Sequence, residues 1–429
     1  MGKLLIKGGY IVDPSQNLEG IADLLIEDGK ISKIEKKIPP TGGEEEVIDA
    51  RSMVVAPAFV DPHAHLRDPG FTYKEDIESG SRAAVFGGFT AVVSMPNTKP
   101  ETDDPALIEY QRLKAEKVGL IRLFPAGAIT KGRKGKELTE FGALKEAGAI
   151  ALTDDGTTPT DEALLRTAFE WAADLGLLIE DHAELPSLAA GHINEGKISD
   201  LLGIAGRNRS AEAIAVARDG YLAQITGTRV HIQHITAKET IELLKLFKEK
   251  GVKITGEVNP NHLLLTEEDV LKYGSLVKVN PPLRTEEDRK ALIEALATGV
   301  IDCIGTDHAP HAPWEKNKPL EQAPPGMLGF QVALPALVRL YNEGYITLKR
   351  LVEVLSTSPA KILGLYPELG SLKVGTPADV VIFDLKHEWV FTEDINPSKS
   401  KNSPFLNQKL VGKVFYTIKG GEVVYRYGG

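Results

Sequence analysis

Apolar and polar positions alternate in short stretches at 4–7, 11–13, 22–26, 31–34 and 47–49, with a Glu27-Asp28-Gly29 turn between the third and fourth. Alternation of period two bounded by turn residues predicts strands, so the chain is expected to open as a small β module. From about residue 54 the pattern changes to compact apolar runs at 54–60, 89–95, 121–125, 149–153, 177–181, 230–233, 252–258 and 301–306. Unbroken runs of that length, separated by longer stretches, are the sequence form of a parallel sheet buried on both faces. Segments with apolar residues at three and four spacing follow the last four strands before the eighth, at 161–175, 211–225, 237–250 and 286–298. Eight such runs predict an α/β fold built on a (β/α)8 TIM-type barrel. After a helical pair at 328–343 and 348–363, alternation returns at 378–384 and 414–425, the latter broken by Lys419-Gly-Gly-Glu422. The tail is expected to rejoin the N-terminal strands, giving a β-sandwich module from 1–56 plus 366–429 beside a barrel of 57–365.

Composition narrows the function classes. Hydrophobic residues make up 42% and charged residues 26% of the 429, which describes an ordinary globular chain with enough residues for a substantial core. The net charge is −10, and no stretch gathers Lys and Arg into a basic stripe, so nucleic acid is not an expected partner. Cys303 is the one cysteine, which excludes an internal disulfide framework and a cysteine-rich zinc module and fits a reducing compartment, the cytoplasm. No run of 18 apolar residues occurs, and the opening residues lack the charged stub and apolar run of a leader, so neither export nor a membrane span is expected.

In an α/β barrel the active site lies at the C-terminal ends of the strands, so the residues after each run carry the chemistry. The first run leads into Asp61-Pro-His63-Ala-His65-Leu-Arg67-Asp68, the second into Pro96-Asn97-Thr98, the fourth into Thr153-Asp154-Asp155-Gly156. The fifth ends in Glu180-Asp181-His182, the sixth in His234, the seventh in Asn259-Pro-Asn261 and the eighth in Thr306-Asp307-His308-Ala-Pro-His311. There are 10 histidines in 429 residues, and most of them fall on these ends. Two residues apart on an extended backbone, His63 and His65 point the same way and can converge on one cation. With His182, His234 and Asp307 on other strand ends, the set exceeds what one tetrahedral ion uses. It suggests two ions, one served by His63, His65 and Asp307, the other by His182 and His234, with Asp155 between them. Asp154 is an equally short carboxylate beside it. Ligands of nitrogen and oxygen without thiolate suit Zn2+, with Mn2+, Co2+ and Fe2+ as alternatives of the same ligand type.

Other chemistries lack their residues. Gly127 to Gly132 is followed by Arg133, where a phosphate loop requires Lys and then Ser or Thr, and no GxSxG elbow occurs. Cys303 lies inside an apolar run, and 131–136 reads as a solvated basic loop. A water nucleophile is left. A metal lowers the pKa of water from about 15.7 to about 7, which stabilises hydroxide by roughly 12 kcal/mol. The one extended stretch without period, 311–326, follows the eighth run and fits either a lid or a solvated surface loop.

HxHLRDPG, MPNT and TDHAPH, in this order and on these strand ends, resemble dihydroorotase of the longer, type I form, within the amidohydrolase superfamily. The likeness runs over essentially the whole chain, split β module included. It implies that His63 and His65 ligate one metal, His182 and His234 the other, and that Asp307 is both ligand and proton shuttle. It implies that Arg67, Asn97 and His311 hold a substrate carboxylate and that Asn280, Pro325 and Gly326 meet a dihydropyrimidine ring. Arginine offers a planar donor fork that suits a carboxylate, although Arg67 also has Asp68 and Asp76 near it in sequence as ion-pair partners. Many amidohydrolases bridge their metals with a carboxylated lysine, whereas the fourth run here ends without one. Some relatives with an aspartate there resemble enzymes that work only when bound to aspartate transcarbamoylase. The implied reaction is reversible, zinc-dependent cyclisation of N-carbamoyl-L-aspartate to L-dihydroorotate in pyrimidine biosynthesis, by a homo-oligomer. The rivals are another cyclic amidase, a hydantoinase or allantoinase, against which Arg67 and Asn97 speak, and a silent scaffold for the transcarbamoylase.

Overall fold

The apolar run at 54–60 divides between two sheets. In the computed structural model, which describes residues 2–40 and 45–428, Val54–Pro57 pairs antiparallel with Val380–Val390 and parallel with Lys3–Asp13. Phe59–Ala64 instead begins the barrel beside Phe89–Ser94. Ala58 is the joint, donating its N–H to Asp379 O at 3.0 Å, directly after Pro57, which has no N–H to offer a ladder. The run reads as one strand because both halves are buried on every side.

Eight parallel strands then follow in the expected order: Phe59–Ala64, Phe89–Ser94, Arg122–Pro125, Ala151–Leu152, Leu178–Asp181, Val230–Ile232, Ile254–Val258 and Cys303–Ile304. Ladders join the first three and the last five. Parallel bridges of Gly127 with Leu152 and of Ala64 with His308 close the circle. Each strand is followed by a helix, from Ile77–Phe86 after the first to Phe330–Asn342 after the eighth. Their ends follow from local chemistry. Asp161 accepts from Ala163 N and Leu164 N at 3.0 Å to start Glu162–Leu175, and left-handed Gly176 stops it. Thr285 and Asp288 form a reciprocal cap for Glu286–Thr298. The strand–helix core holds Phe59, Phe89, Phe169, Phe247 and Phe330, all fully buried, each worth about 1.5–3 kcal/mol of burial. The last expected helix, 348–363, is interrupted by a π turn at Glu353–Thr357, because Pro359 has no N–H to return to Leu355.

The terminal sheet has the order Glu422–Arg426, Lys409–Lys419, Val380–Val390, Val54–Pro57, Lys3–Asp13, Leu18–Glu27, Lys30–Glu35, with Glu45–Asp49 also on Lys3–Asp13. It packs its own apolar cluster, including Leu4, Ile6, Leu24, Ile382 and Ile418. The segments 4–7 and 11–13 form one strand rather than two, bulged between Ile6 and Gly9 where Gly8 takes a φ of 68°. Met1, 41–44 and Gly429, which the expected terminal module includes, lie outside the described residues. Among the described residues no helix is long and apolar enough to cross a membrane.

The 311–326 stretch contains a short helix, Pro313–Lys316, and is tied down by two buried amines. Lys316 Nζ donates to Pro324 O at 2.9 Å and to Lys278 O at 3.3 Å. Lys278 Nζ donates to Leu320 O at 2.8 Å, and Gly326 N–H to Lys278 O at 2.8 Å.

Candidate active site

The HxH pair behaves as its spacing demands. His63 and His65 face the same way from the end of the first strand, ring centroids 5.5 Å apart, and Asp307 from the end of the eighth closes on both. Asp307 Oδ1 lies 3.0 Å from His65 Nε2 and 3.4 Å from His63 Nε2. Asp155 occupies the centre. Its Oδ1 is 3.4 Å from His63 Nε2 and 3.7 Å from both His182 Nδ1 and His234 Nε2, while its Oδ2 is 3.4 Å from His65 Nε2. Asp154 turns the other way and accepts from the backbone and hydroxyl of Thr130. Two overlapping groups with metal-ligand geometry result, His63 with Asp155 and His234, and His63 with His65 and Asp307. His182 stands outside these two sets, stacked edge-on to His234 at 4.5 Å.

These donors fit a cation. A tetrahedral shell with bonds of about 2.0–2.1 Å has ligand–ligand edges of about 3.3 Å, and the separations above bracket that value. His63 Nε2 and Asp155 Oδ1 are buried without a hydrogen-bond partner among the described residues, as they would be if a cation were their partner. Three of the four rings are also aimed from behind, whereas His234 Nδ1 has no hydrogen-bond partner among the described residues. His63 Nδ1 bonds Glu257 Oε1 at 2.6 Å, His65 Nδ1 bonds Asn97 Oδ1 at 2.8 Å, and His182 Nε2 bonds Glu184 Oε2 at 3.0 Å. Such acceptors hold the proton on the outer nitrogen and leave the inner lone pair for a metal.

The electrostatics agree. Burial opposes charge on His63, yet Asp155, Glu257 and Asp307 outweigh it and push its pKa well above the ordinary value. His182 is likewise raised to about 9 against burial by Asp155 and Glu184. Burial favours the neutral acid at Asp155, but His63, His182 and His234 hold its carboxyl well below the usual range. The carboxylates recruit positive charge, whether as protons on the rings or as a divalent ion.

Beside this cluster is a cavity of about 270 Å³. Every metal or substrate residue named from the sequence lines it except His63, which is fully buried, and the alternative carboxylate Asp154; Gly156 and Ala309 complete the lining. Arg67 does not pair with Asp68, which takes Lys114 and Tyr110, or with Asp76, which takes Lys399 and caps Ile77–Phe86. Its Nε donates to Pro310 O at 3.1 Å, and its Nη2 lies 3.2 Å from His311 Nε2. Burial lowers Arg67 to about 10, leaving it charged at neutral pH. The amide oxygen of Asn97 is taken by His65, which leaves its NH2 for the cavity, and Asn280 Oδ1 accepts from Arg207. At Gly326, with φ of 148°, a Cβ would stand 2.7 Å from Ala309 O, so the close approach requires glycine.

Three placements were not legible in the sequence. His308 faces away from the cluster, bonded to Glu75 and stacked on Phe330. The basic loop is not wholly solvated, since Arg133 Nη2 donates to Asp155 O at 2.6 Å. Glu257 and Glu184 were missed as partners of the histidines; a charged residue inside the apolar run 252–258 was the available signal. Arg67, His234 and Asp307 all have left-handed backbones, φ 61°, 33° and 46°, a cost of about 1–3 kcal/mol each that concentrates at functional sites.

Comparison with known proteins adds a second line. Residues 52–240 match the family described as dihydro-orotase-like. The dihydroorotase of Aquifex aeolicus (strain VF5) is 55% identical over 426 residues, 99% of this chain and 100% of that one. The dihydroorotase of Sulfurihydrogenibium sp. (strain YO3AOP1) is 50% identical over 99% of this chain and 100% of its own. Among solved structures, L-hydantoinase (dihydropyrimidinase) from Arthrobacter aurescens superposes with a TM-score of 0.90 at 27% identity, covering 100% of this chain and 97% of that one. A D-hydantoinase gives 0.84 at 28% identity over 99% and 95%. Full-length identity of this order, on a barrel whose strand ends carry the histidine and aspartate cluster, places the chain in the dihydroorotase family of cyclic-amide hydrolases.

Proposed function

We propose that the chain interconverts N-carbamoyl-L-aspartate and L-dihydroorotate in the cytoplasm, using two zinc ions that His63, His65, Asp155, His182, His234 and Asp307 would hold. The observation that carries this reading is the juxtaposition of the ligand cluster with the Arg67–His311 pair across one cavity. The hydantoinase fold is shared, but a buried arginine turned toward a second donor has nothing to hold on a neutral hydantoin, whereas dihydroorotate carries a carboxylate there. The module of 1–56 plus 366–429 and the barrel of 57–365 divide the labour, the barrel carrying the site.

Bound zinc supplies Lewis-acid chemistry, polarising the amide carbonyl and making water nucleophilic at neutral pH. The protein's own residues do the rest. Arg67, Asn97 and His311 fix the substrate carboxylate, and Asn280, Pro325 and Gly326 hold the ring against the cluster. In hydrolysis a water oxygen adds to the ring amide carbonyl and the C–N bond breaks. Asp307 takes the proton from the attacking water and delivers it to the leaving nitrogen. Asn259 Nδ2, 3.2 Å from Asp307 Oδ2, keeps that carboxylate oriented. The test is zinc-dependent hydrolysis of L-dihydroorotate by the purified chain. Turnover by the chain alone supports a self-sufficient enzyme, and turnover only on adding aspartate transcarbamoylase supports a partner-dependent one. Silence in both, or a preference for an uncharged hydantoin, overturns the reading. A single species at monomer mass in sedimentation would exclude the homo-oligomer.

A further inference from the structure

The proton on His311 is assigned by its neighbours. Its Nδ1 lies 3.2 Å from Nζ of Lys74, and Lys74 is a buried ammonium paired with Glu315 at 3.0 Å. Burial draws the Lys74 pKa down while Glu315 supports the charge. An ammonium has three donors and no lone pair, and Glu315 Oε2, the carboxylate oxygen that also faces Nδ1, stands 3.7 Å away, beyond hydrogen-bond reach, so Nδ1 of His311 accepts from Lys74. The ring is neutral, since burial pushes its pKa down to about 3, and its one proton therefore sits on Nε2. There it faces Pro325 O at 2.8 Å, a neutral backbone acceptor whose hold on the proton an incoming carboxylate oxygen can share or replace. Nη2 of Arg67 stands 3.2 Å from the same nitrogen. Two donors cannot bond each other, so Arg67 Nη2 and His311 Nε2 stand side by side at the cavity wall, and an anionic oxygen there accepts from Arg67 and takes or shares the His311 proton that otherwise goes to Pro325 O. With the proton on Nδ1 instead, Nε2 would satisfy Arg67 and turn a lone pair toward the incoming carboxylate.

We propose that Lys74 is a positioning residue for substrate: by donating to Nδ1 of His311 it locks the tautomer that makes His311 a carboxylate donor beside Arg67. Lys74 does not line the cavity, so it acts through His311, and the inference rests on the reading that a substrate carboxylate binds there. It extends the sequence motif by one side chain that lies seven residues beyond Arg67.

The test combines kinetics with a spectroscopic readout. Lys74→Met is expected to raise KM for L-dihydroorotate by about tenfold, the loss of one charge-assisted hydrogen bond, with kcat within about threefold. Lys74→Arg, which still donates, should restore most of the loss. Glu315→Gln removes the ion pair but keeps the Lys74–His311 bond, and should leave KM within about twofold. In the wild-type enzyme labelled with 15N-histidine, the His311 signal, assigned with His311→Asn, should report a protonated Nε2 and a bare Nδ1. A bare Nε2 in the wild type, or a folded Lys74→Met with unchanged KM, overturns the proposal. Failure of the wild type to turn over dihydroorotate under any condition would overturn the functional reading instead, and the tautomer measurement would still decide the role of Lys74.

Discussion

Glu257 Oε1 lies 2.6 Å from His63 Nδ1, and neither side chain is exposed. The same oxygen accepts from the His234 backbone N–H at 3.2 Å, and Oε2 bonds His231 Nε2 at 3.1 Å. One carboxylate thus fixes the ring of one candidate ligand and the backbone of another. Glu257→Gln is expected to weaken zinc binding by about 10–100-fold, measured by competition with a chelating dye. Wild-type affinity in that variant would remove Glu257 from this role.

Gly305 makes room for that carboxylate. A Cβ at 305 would stand 2.3 Å from Glu257 Cδ, in an interior that has no slack, so Gly305→Ala should cost about 1–3 kcal/mol. Calorimetry should show a lower Tm together with weaker zinc retention. A Tm equal to wild type would mean that Glu257 has space to retreat.

Asp307→Asn should cut kcat by about 10²–10⁴-fold, the range of a lost proton transfer group. Asparagine is the right replacement because it tolerates the left-handed backbone that Asp307 adopts. Single-turnover hydrolysis with zinc content measured in parallel separates loss of the shuttle from loss of metal, and near wild-type turnover would end the assignment.

Asp154 and Asp155 should part company on mutation. Asp155→Asn is expected to lose zinc, whereas Asp154→Asn, cut off from the cluster by its bonds to Thr130, should keep zinc and lose stability. Elemental analysis of the two purified variants settles which carboxylate serves the ions.

Lys413 provides a pH dependence remote from the metal cluster. Its Nζ lies 3.4 Å from the centroid of Phe86 and 4.4 Å from that of Trp389, with no hydrogen-bond partner among the described residues. Burial draws it down to about 7, below the unfolded value of about 10.4. Between those values the folded state binds fewer protons, so stability rises with pH, by at most about 1.4 kcal/mol per unit. Chemical denaturation from pH 7 to 9 should show the rise in wild type and its loss in Lys413→Met. The opposite slope would mean that the rings hold the ammonium strongly enough to reverse the burial cost. Tyr425 does not titrate in this window because burial raises its hydroxyl.

The barrel was legible because strands buried on both faces are written as unbroken apolar runs, and helices such as Glu286–Thr298 announce their ends through Thr285 and Gly299. The ligand candidates were legible because polar residues directly after such runs share one rim. Sequence pattern could not separate Val54–Pro57 from Phe59–Ala64, since belonging to different sheets leaves burial unchanged. Nor could it pair Glu257 with His63, 194 positions apart, or Lys74 with His311, because those partnerships exist only once the strands are side by side. The choice between Asp154 and Asp155 likewise depends on which way each side chain turns, which adjacent residues in one turn do not reveal.

The seam where the barrel closes runs between its first and last strands. Asp307 N–H bonds His63 O at 2.9 Å and His65 N–H bonds His308 O at 2.8 Å, so three of the four residues whose backbone makes the closing joint also offer ligands. A chain still emerging from the ribosome has His63 and His65 long before Asp307, and the ligand set that includes Asp307 is not complete until the circle shuts. A cation held by that set would therefore be captured late in biogenesis and would act as a latch on the finished barrel, stabilising only molecules whose two ends of the circle have already met.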